Sequence, residues 1–336
     1  MPPSSTDLFG PYGTLDDEYD RPTSTNGNHP PTPASPPPTE VPRQALPEPP
    51  PQRPPTTYRR PRRFRKLAFA LKLIGALLVF YQIICASLIF IDPIRTNFML
   101  FDPNEDELFA HQHVDIDHVS RYIIAAAMLH EDAQLGLRTL PFDHGAFYDR
   151  AVLKLQDPDA YNSGSTIPQQ LVKNLFLWRH ESIPKKALEA LMTYQLNLIP
   201  DKRLMELYLN TAEYAKNLYG ICAATWYYYD APPWDISKEQ AITLAGMLPA
   251  GDYQKRSPKG GLDISVEDGD PLKNWLNARE KLPIRFEEWG GWLPVTETIG
   301  ITDTAADHAG DRGSEGSCST MPQNVADRIM QEGLDR

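Results

Sequence analysis

The sequence predicts a mainly α domain held behind one N-terminal transmembrane helix. Three observations carry this. Leu73 to Ile91 runs for 19 residues without a formal charge. From Val119 to Leu248 the apolar residues recur at helical spacing, with no succession of regular strands and no internal repeat. Of the 33 prolines, 18 precede Phe64, so the folded part starts after that tract and one compact domain follows.

Taken in order, residues 1–66 are a proline-rich tail. Pro36-Pro37-Pro38 and Pro49-Pro50-Pro51 favour polyproline II and cannot build a core, so the tail is expected to be disordered, a spacer more than a docking site. Residues 67–92 form the membrane helix. At about 1.5 Å per residue its uncharged run spans about 28 Å, close to the hydrocarbon thickness. Arg59 to Lys66 holds six basic residues in eight, which places the N-terminus in the cytoplasm by the positive-inside rule. Asp92, Asp102, Asp106 and Glu107 follow on the far side. A cleaved signal peptide fits less well, because the preceding stretch is too long and no small-x-small site follows.

Residues 93–119 read as a connector. His111, His113, Asp115 and Asp117 alternate as metal ligands on one strand face would, but a polar strand face or a loop is the plainer reading. Helices are expected over Val119–His130, Ala146–Leu155, Ile167–Leu177, Lys185–Leu198 and Arg203–Leu209. A further one starts at Ser237, capped with Gln240. Residues 100–258 make the main domain. Residues 259–336 hold 8 basic and 15 acidic residues and are expected to form an acidic, partly disordered extension with a short helix over Asn324–Leu334.

The formal charge of −11 gives no reason to expect nucleic acid as a partner. Three cysteines make no disulfide framework. Cys222 lies in a helical stretch, where a small buried thiol is expected. A Cys222–Cys318 bridge in an oxidising compartment is the alternative.

Three constellations carry chemistry. Glu131-Asp132 ends an apolar helix, so Glu131 leaves a buried segment, which can lift a carboxylate toward the working range of a general base; a solvated helix end is the alternative. In Gly164 to Asn174, Thr166 and Gln169 form a capping box. The helix N-terminus and Lys173 together make an anion site, unless this is an ordinary capped amphipathic helix. Gln170, Lys173 and Asn174 share one helix face. Ser182 caps a third segment, in which Lys185 and Lys186 precede Glu189.

Together these segments resemble the family 51 glycosyltransferases, the peptidoglycan polymerases. The likeness runs from about Asp115 to Pro258. GSTIPQQLVKNLFLW, Gly164 to Trp178, is similar almost letter for letter to the family's second motif. Glu131-Asp132 resembles its first, Lys185 to Glu189 its third and Lys202 to Glu213 its fourth. With one anchor, the chain is similar to the monofunctional biosynthetic type.

The resemblance implies a lysozyme-like helical fold and lipid II as substrate, joined to the growing glycan strand by β-1,4 links with release of undecaprenyl diphosphate. Glu131 would be the general base. Glu189 would act at the diphosphate side, with Lys173, Lys185 and Lys186 on the diphosphate oxygens. Asp132, Thr166, Gln170 and Asn174 would bind substrate. No residue is assigned as a metal ligand, and a divalent cation (Mg or Mn) is an optional companion of the diphosphate. The catalytic domain would sit in the periplasm, on the inner membrane, with the bilayer and other cell-wall synthesis proteins as partners.

The sequence departs from the family at several points. Leu135 stands where phenylalanine is usual, Arg138 replaces a histidine, and Lys185 replaces an arginine. Cys222 and Gln240 replace common glutamates. Two other classes stay open: a non-catalytic relative that binds lipid II or serves as a scaffold, and a lytic transglycosylase of similar fold.

Overall fold

The computed structural model describes residues 62–334, apart from Glu105, most of 143–163 and 266–269. Nearly all of the proline-rich tail and most of the helix expected over 146–155 lie outside the described residues.

Helix α1 (Arg62–Ser87) is long and apolar enough to cross a membrane. Leu73, Ile74, Leu77, Val79, Phe80 and Ile83 lie exposed along it, as a helix solvated by lipid requires. Its outer end is different. Cys85 and Leu88 are buried in a small apolar cluster with Leu171, Val172, Leu196 and Leu207 of the main domain. The Tyr81 ring stands edge-on to Phe176 at 5.2 Å, and its hydroxyl donates to the Met192 carbonyl at 3.3 Å. The C-terminal end of α1 is therefore packed against the body, while the stretch before it is exposed.

After the short α2 (Asn97–Leu100) comes β1 (Ala110–His111), then a 3-10 turn at Ile116–His118. Helix α3 (Arg121–Glu131) is the centre of the domain. Ile123 through Leu129 are all buried, so it is apolar all round, as a core helix should be. Around it lie α4 (Ile167–Phe176), α5 (Ile183–Leu196), α6 (Asp201–Thr211), α7 (Ile221–Tyr229) and α8 (Lys238–Met247). Two short strands, β2 (Glu213–Ala215) and β3 (Leu218–Tyr219), join β1 in a sheet of order β1-β3-β2. β3 pairs parallel with β1 and antiparallel with β2.

The local chemistry explains the helix starts. Ser237 accepts from the Gln240 amide at 3.3 Å, and the Gln240 side chain accepts from the Ser237 amide at 2.9 Å. Ser182 caps α5 by accepting from the Lys185 amide. Gly220 opens α7 with φ of 83°, and a Cβ there would meet the Asn210 carbonyl oxygen at 3.0 Å, so two reasons demand glycine.

The C-terminal stretch corrects the sequence reading. The short terminal helix expected over Asn324–Leu334 is present as α11 (Gln323–Gln331), but the stretch before it, expected to be partly disordered, also forms α9 (Asp270–Glu288) and α10 (Leu293–Glu297). Ala278, Leu282, Phe286, Val295, Ile299, Val325 and Ile329 belong to the same apolar core as α3. The contact with α8 is close: a Cβ on Gly246 would meet the Ala278 methyl at 2.9 Å. The boundary expected at 258 thus falls inside one core.

The cysteines correct it again. Cys222 on α7 and Cys318 are joined by a disulfide, with Cα atoms 6.0 Å apart. The Trp226 indole donates to the Cys318 carbonyl at 3.0 Å. A crosslink spanning 96 residues removes much denatured-state entropy. Cys318→Ser should therefore lower unfolding stability by about 2–5 kcal/mol. Thermal melts with and without reductant check this: the wild type should lose the same stability on reduction, and Cys85→Ser should not alter that loss.

Candidate active site

Three segments meet at the C-terminal end of α3. Glu131 is its last residue, and its carboxylate oxygen Oε2 accepts from Gln170 Nε2 of α4 at 2.5 Å. Burial pushes the Glu131 carboxyl up to about 7, against the opposing pull of the Gln170 hydrogen bond and the Lys173 charge. Gln170 is itself held, since its Oε1 accepts from the Tyr208 hydroxyl at 3.2 Å. The neighbouring His130 imidazole is pushed down to about 4 by burial and by Arg285 and Lys281, so it stays neutral.

Asp132 behaves differently from its neighbour. Its two oxygens receive the two terminal nitrogens of Arg138, a forked pairing, and Oδ2 also accepts from the Ile167 amide at 3.0 Å. The carboxylate is almost wholly buried by these contacts. It caps the first turn of α4 and ties the end of α3 to it. Asp132, expected to bind substrate, is engaged here by these groups of the protein itself. Arg138 fills the place of the usual histidine with a fixed cation.

Thr166 is also used internally. Its hydroxyl donates to the Pro141 carbonyl at 3.0 Å, and its amide donates to Gln169 Oε1 at 3.0 Å, the return half of the expected capping box. Asn174 is buried on α4. Of the expected α4 face, Gln170 and Lys173 are the residues that reach the charged groups.

The lysines divide into two kinds. Lys185 is 0% exposed, and its ammonium donates to Glu181 Oε1 at 2.8 Å and to the Arg179 carbonyl at 3.2 Å. The Lys186 side chain is 41% exposed and reaches Glu189 Oε1 and Ser165 Oγ, each at 2.8 Å. Lys186 is thus the ammonium open to a ligand. The Lys173 ammonium is held below its ordinary value, chiefly by burial and then by Lys186, while Glu189 and Glu181 pull the other way.

Glu189 is fully buried, with Oε2 lacking any hydrogen-bond partner among the described residues. A continuous set of contacts joins the two glutamates. Glu131 is bonded to Gln170, Gln170 Nε2 also donates to the Ser165 carbonyl at 3.3 Å, and Ser165 Oγ holds Lys186, which holds Glu189. Lys173 interacts electrostatically with both. The structure therefore brings together Glu131, Gln170, Lys173, Lys186 and Glu189. A half-neutral carboxyl beside a lysine cluster can accept a proton while the cations stabilise an anionic leaving group.

Sequence reasoning missed several supports. Phe98 of α2 stacks under Arg179 at 4.7 Å and under Lys173 and Lys185 at 5.9 Å. Arg179 itself donates to Glu213 at 2.8 Å and to Asp102 at 3.0 Å. Its place just after the GSTIPQQLVKNLFLW segment was the available signal.

The sequence that builds this site is similar to that of known proteins. The family model described as Transglycosylase matches residues 104–262. A biosynthetic peptidoglycan transglycosylase of Acinetobacter baumannii (strain SDF) is 34% identical over 192 residues, covering 54% of this chain and 82% of the relative. One from Shewanella amazonensis is 33% identical over 184 residues, covering 53% and 74%. One from Rhizobium johnstonii is 35% identical over 178 residues, covering 52% and 68%.

Two measurements test this geometry. Folding favours the protonated form of Glu131, so stability should fall as pH rises from 4.5 to about 7. Glu131→Gln should then be more stable than the wild type above pH 8 by on the order of 2–3 kcal/mol, the gap closing as pH approaches 4, in denaturant titrations at each pH. Arg138→Ala leaves Asp132 buried and unpaired and should cost about 3–5 kcal/mol by the same titration, with Arg138→Lys recovering part of it.

Proposed function

The chain belongs to the transglycosylase family and is a membrane-anchored peptidoglycan glycosyltransferase, and on that premise we propose that it polymerises lipid II with Glu131 as the general base. The observation that carries this reading is the buried Glu131 carboxyl, held near neutrality and oriented by Gln170 toward the lysine cluster. Glu131 takes the proton from the 4-hydroxyl of the acceptor sugar. The freed oxygen attacks the sugar carbon bearing the undecaprenyl diphosphate, with inversion, and a β-1,4 link forms as the diphosphate leaves.

A diphosphate is already a good leaving group, so the protein's task on that side is charge neutralisation. Lys186 is the more exposed cation, and Lys173, half-buried, adds a second charge that acts on the same groups. Lys185, sealed by Glu181 and Arg179, shapes the site without touching the diphosphate. Glu189 holds Lys186 in place through Oε1, while its Oε2 is partnerless but sealed inside the protein. Mg or Mn at the diphosphate would take its oxygens from the substrate, and would reach Glu189 Oε2 only if that oxygen were uncovered. The lysines supply the neutralisation in this mechanism, and no step depends on the ion.

The surroundings favour a lipid-borne substrate. Leu188, Leu191 and Leu198 follow one another at helical spacing along α5 and its end, and all are exposed, as are Ile183 and Leu140. An apolar edge beside the charged groups suits a polyprenyl chain lying in the bilayer. The six basic residues of Arg59 to Lys66 support a cytoplasmic N-terminus and a periplasmic catalytic domain on the inner membrane. The Cys222–Cys318 disulfide fits that oxidising side.

Full-length chain in detergent, given labelled lipid II, tests the proposal. Glu131→Gln should lower the polymerisation rate about 10²–10⁴-fold. Gln170→Leu, by removing a hydrogen bond that lowers the Glu131 pKa, should move the acid limb of kcat/KM from about 7 to higher pH. Lys186→Ala should slow turnover, with partial recovery in Lys186→Arg. Wild-type rates from Glu131→Gln would overturn the assignment of the base.

A further inference from the structure

The His-Gln-His-Val-Asp stretch singled out in the sequence is not used by the reaction, and the structure gives it a different setting. His113 Nε2 is sealed from solvent and makes no proper hydrogen bond. Instead it faces three carboxylate oxygens at almost equal distances: Asp115 Oδ1 at 3.4 Å, Asp92 Oδ2 at 3.5 Å and Glu206 Oε1 at 3.5 Å. These are too long for good N–H···O contacts. They match the spacing of donors around a small cation, because two ligand atoms each about 2.1 Å from a tetrahedral ion lie about 3.4 Å apart.

The donor atoms of Asp92, His113 and Glu206 all lie within 4.8 Å of one another. The charges agree with the geometry. Asp92, Asp115 and Glu206 bring three negative charges. Arg203 brings one positive charge, donating to Asp92 Oδ1 at 2.6 Å and lying 3.2 Å from Glu206 Oε1. Arg203 grips Asp92 by the oxygen that does not face His113, as an outer-shell group should, whereas at Glu206 it lies against the same oxygen that faces His113, which an ion would share with it. The remaining two negative charges equal one divalent cation beside a neutral imidazole. The cluster is open on the side of Asp92 and Asp115, whose side chains are about half exposed, and Asp115 and Glu206 also border a neighbouring cavity that His113 and Asp92 do not line.

We propose that Asp92, His113 and Glu206, with Asp115 beside them, form a site for a divalent transition-metal ion such as Zn²⁺, separate from the catalytic cluster. One nitrogen and several carboxylate oxygens suit Zn²⁺ first and Mn²⁺ second. The site joins three parts of the chain: Asp92 just beyond α1, His113 after β1, and Glu206 on α6. A bound ion clips the outer end of the anchor to the helix that carries Tyr208, the partner of Gln170.

The test uses the full-length chain in detergent, stripped with chelator and titrated with Zn²⁺, then with Mn²⁺, by calorimetry and by thermal melting. The wild type should take up one Zn²⁺ that raises its melting temperature. His113→Ala and Asp92→Asn should lose both the uptake and the shift, and Glu189→Gln should keep both, which separates this ion from one at the diphosphate. Asp303→Asn, in the neighbouring Asp117, Asp303 and His308 group, should also keep both. Asp92→Asn alters an exposed carboxylate, so it reports even if His113→Ala does not fold. Equal uptake by the wild type and Asp92→Asn would overturn the proposal. So would a stripped wild type that ignores Zn²⁺ and merely loses stability as pH rises through the His113 titration, the behaviour of an imidazolium held by carboxylates.

Discussion

The Asp132 carboxylate is the joint on which the catalytic geometry depends. It receives the Arg138 fork on one side and the first amide of α4 on the other. Asp132 follows Glu131 directly, so fixing it fixes where Glu131 leaves α3. Capping α4 with the same group fixes Gln170 one turn further on. The 2.5 Å contact between Gln170 and Glu131 is then a consequence of two helices pinned at their ends. An isolated buried carboxylate would be expensive; a carboxylate shared by a guanidinium and a helix N-terminus is well compensated.

The C-terminal part supports the same region from behind. Thr298 donates to the Leu135 carbonyl at 3.2 Å, and Gly136 is needed because a Cβ would strike the Thr298 carbonyl oxygen. Arg285 of α9 donates to the Leu129 carbonyl, two residues before Glu131. The family model ends at residue 262, yet these later residues complete the wall around α3. The extension is therefore a working part of the catalytic domain.

Much of this was legible in the sequence because period and capping chemistry are local. The α3 run, the Ser237 cap and the Lys185 to Glu189 turn follow from residues a few positions apart. What could not be read depends on partners brought from afar. The Glu131-Asp132 pair gave no means of telling which carboxylate is neutralised, since the answer is Arg138 across a turn. Lys185 and Lys186 look alike in sequence, and only burial distinguishes them. Trp275, Ala278, Leu282 and Phe286 do fall at helical spacing, but Pro283 inside the helix and the acidic, glycine-rich surroundings disguised it. Cys222 and Cys318 were visible as a possible pair, but nothing local to either favoured a bridge across 96 residues over a buried thiol.

That last separation bears on how the enzyme is made. Cys318 lies near the end of the 336-residue chain, and Val325 and Ile329, which fill the same core, come later still. A ribosome therefore delivers every catalytic side chain well before the segment that seals the interior around them. Until that final stretch arrives, the newborn polypeptide exposes part of the apolar surface of α7 and cannot be locked.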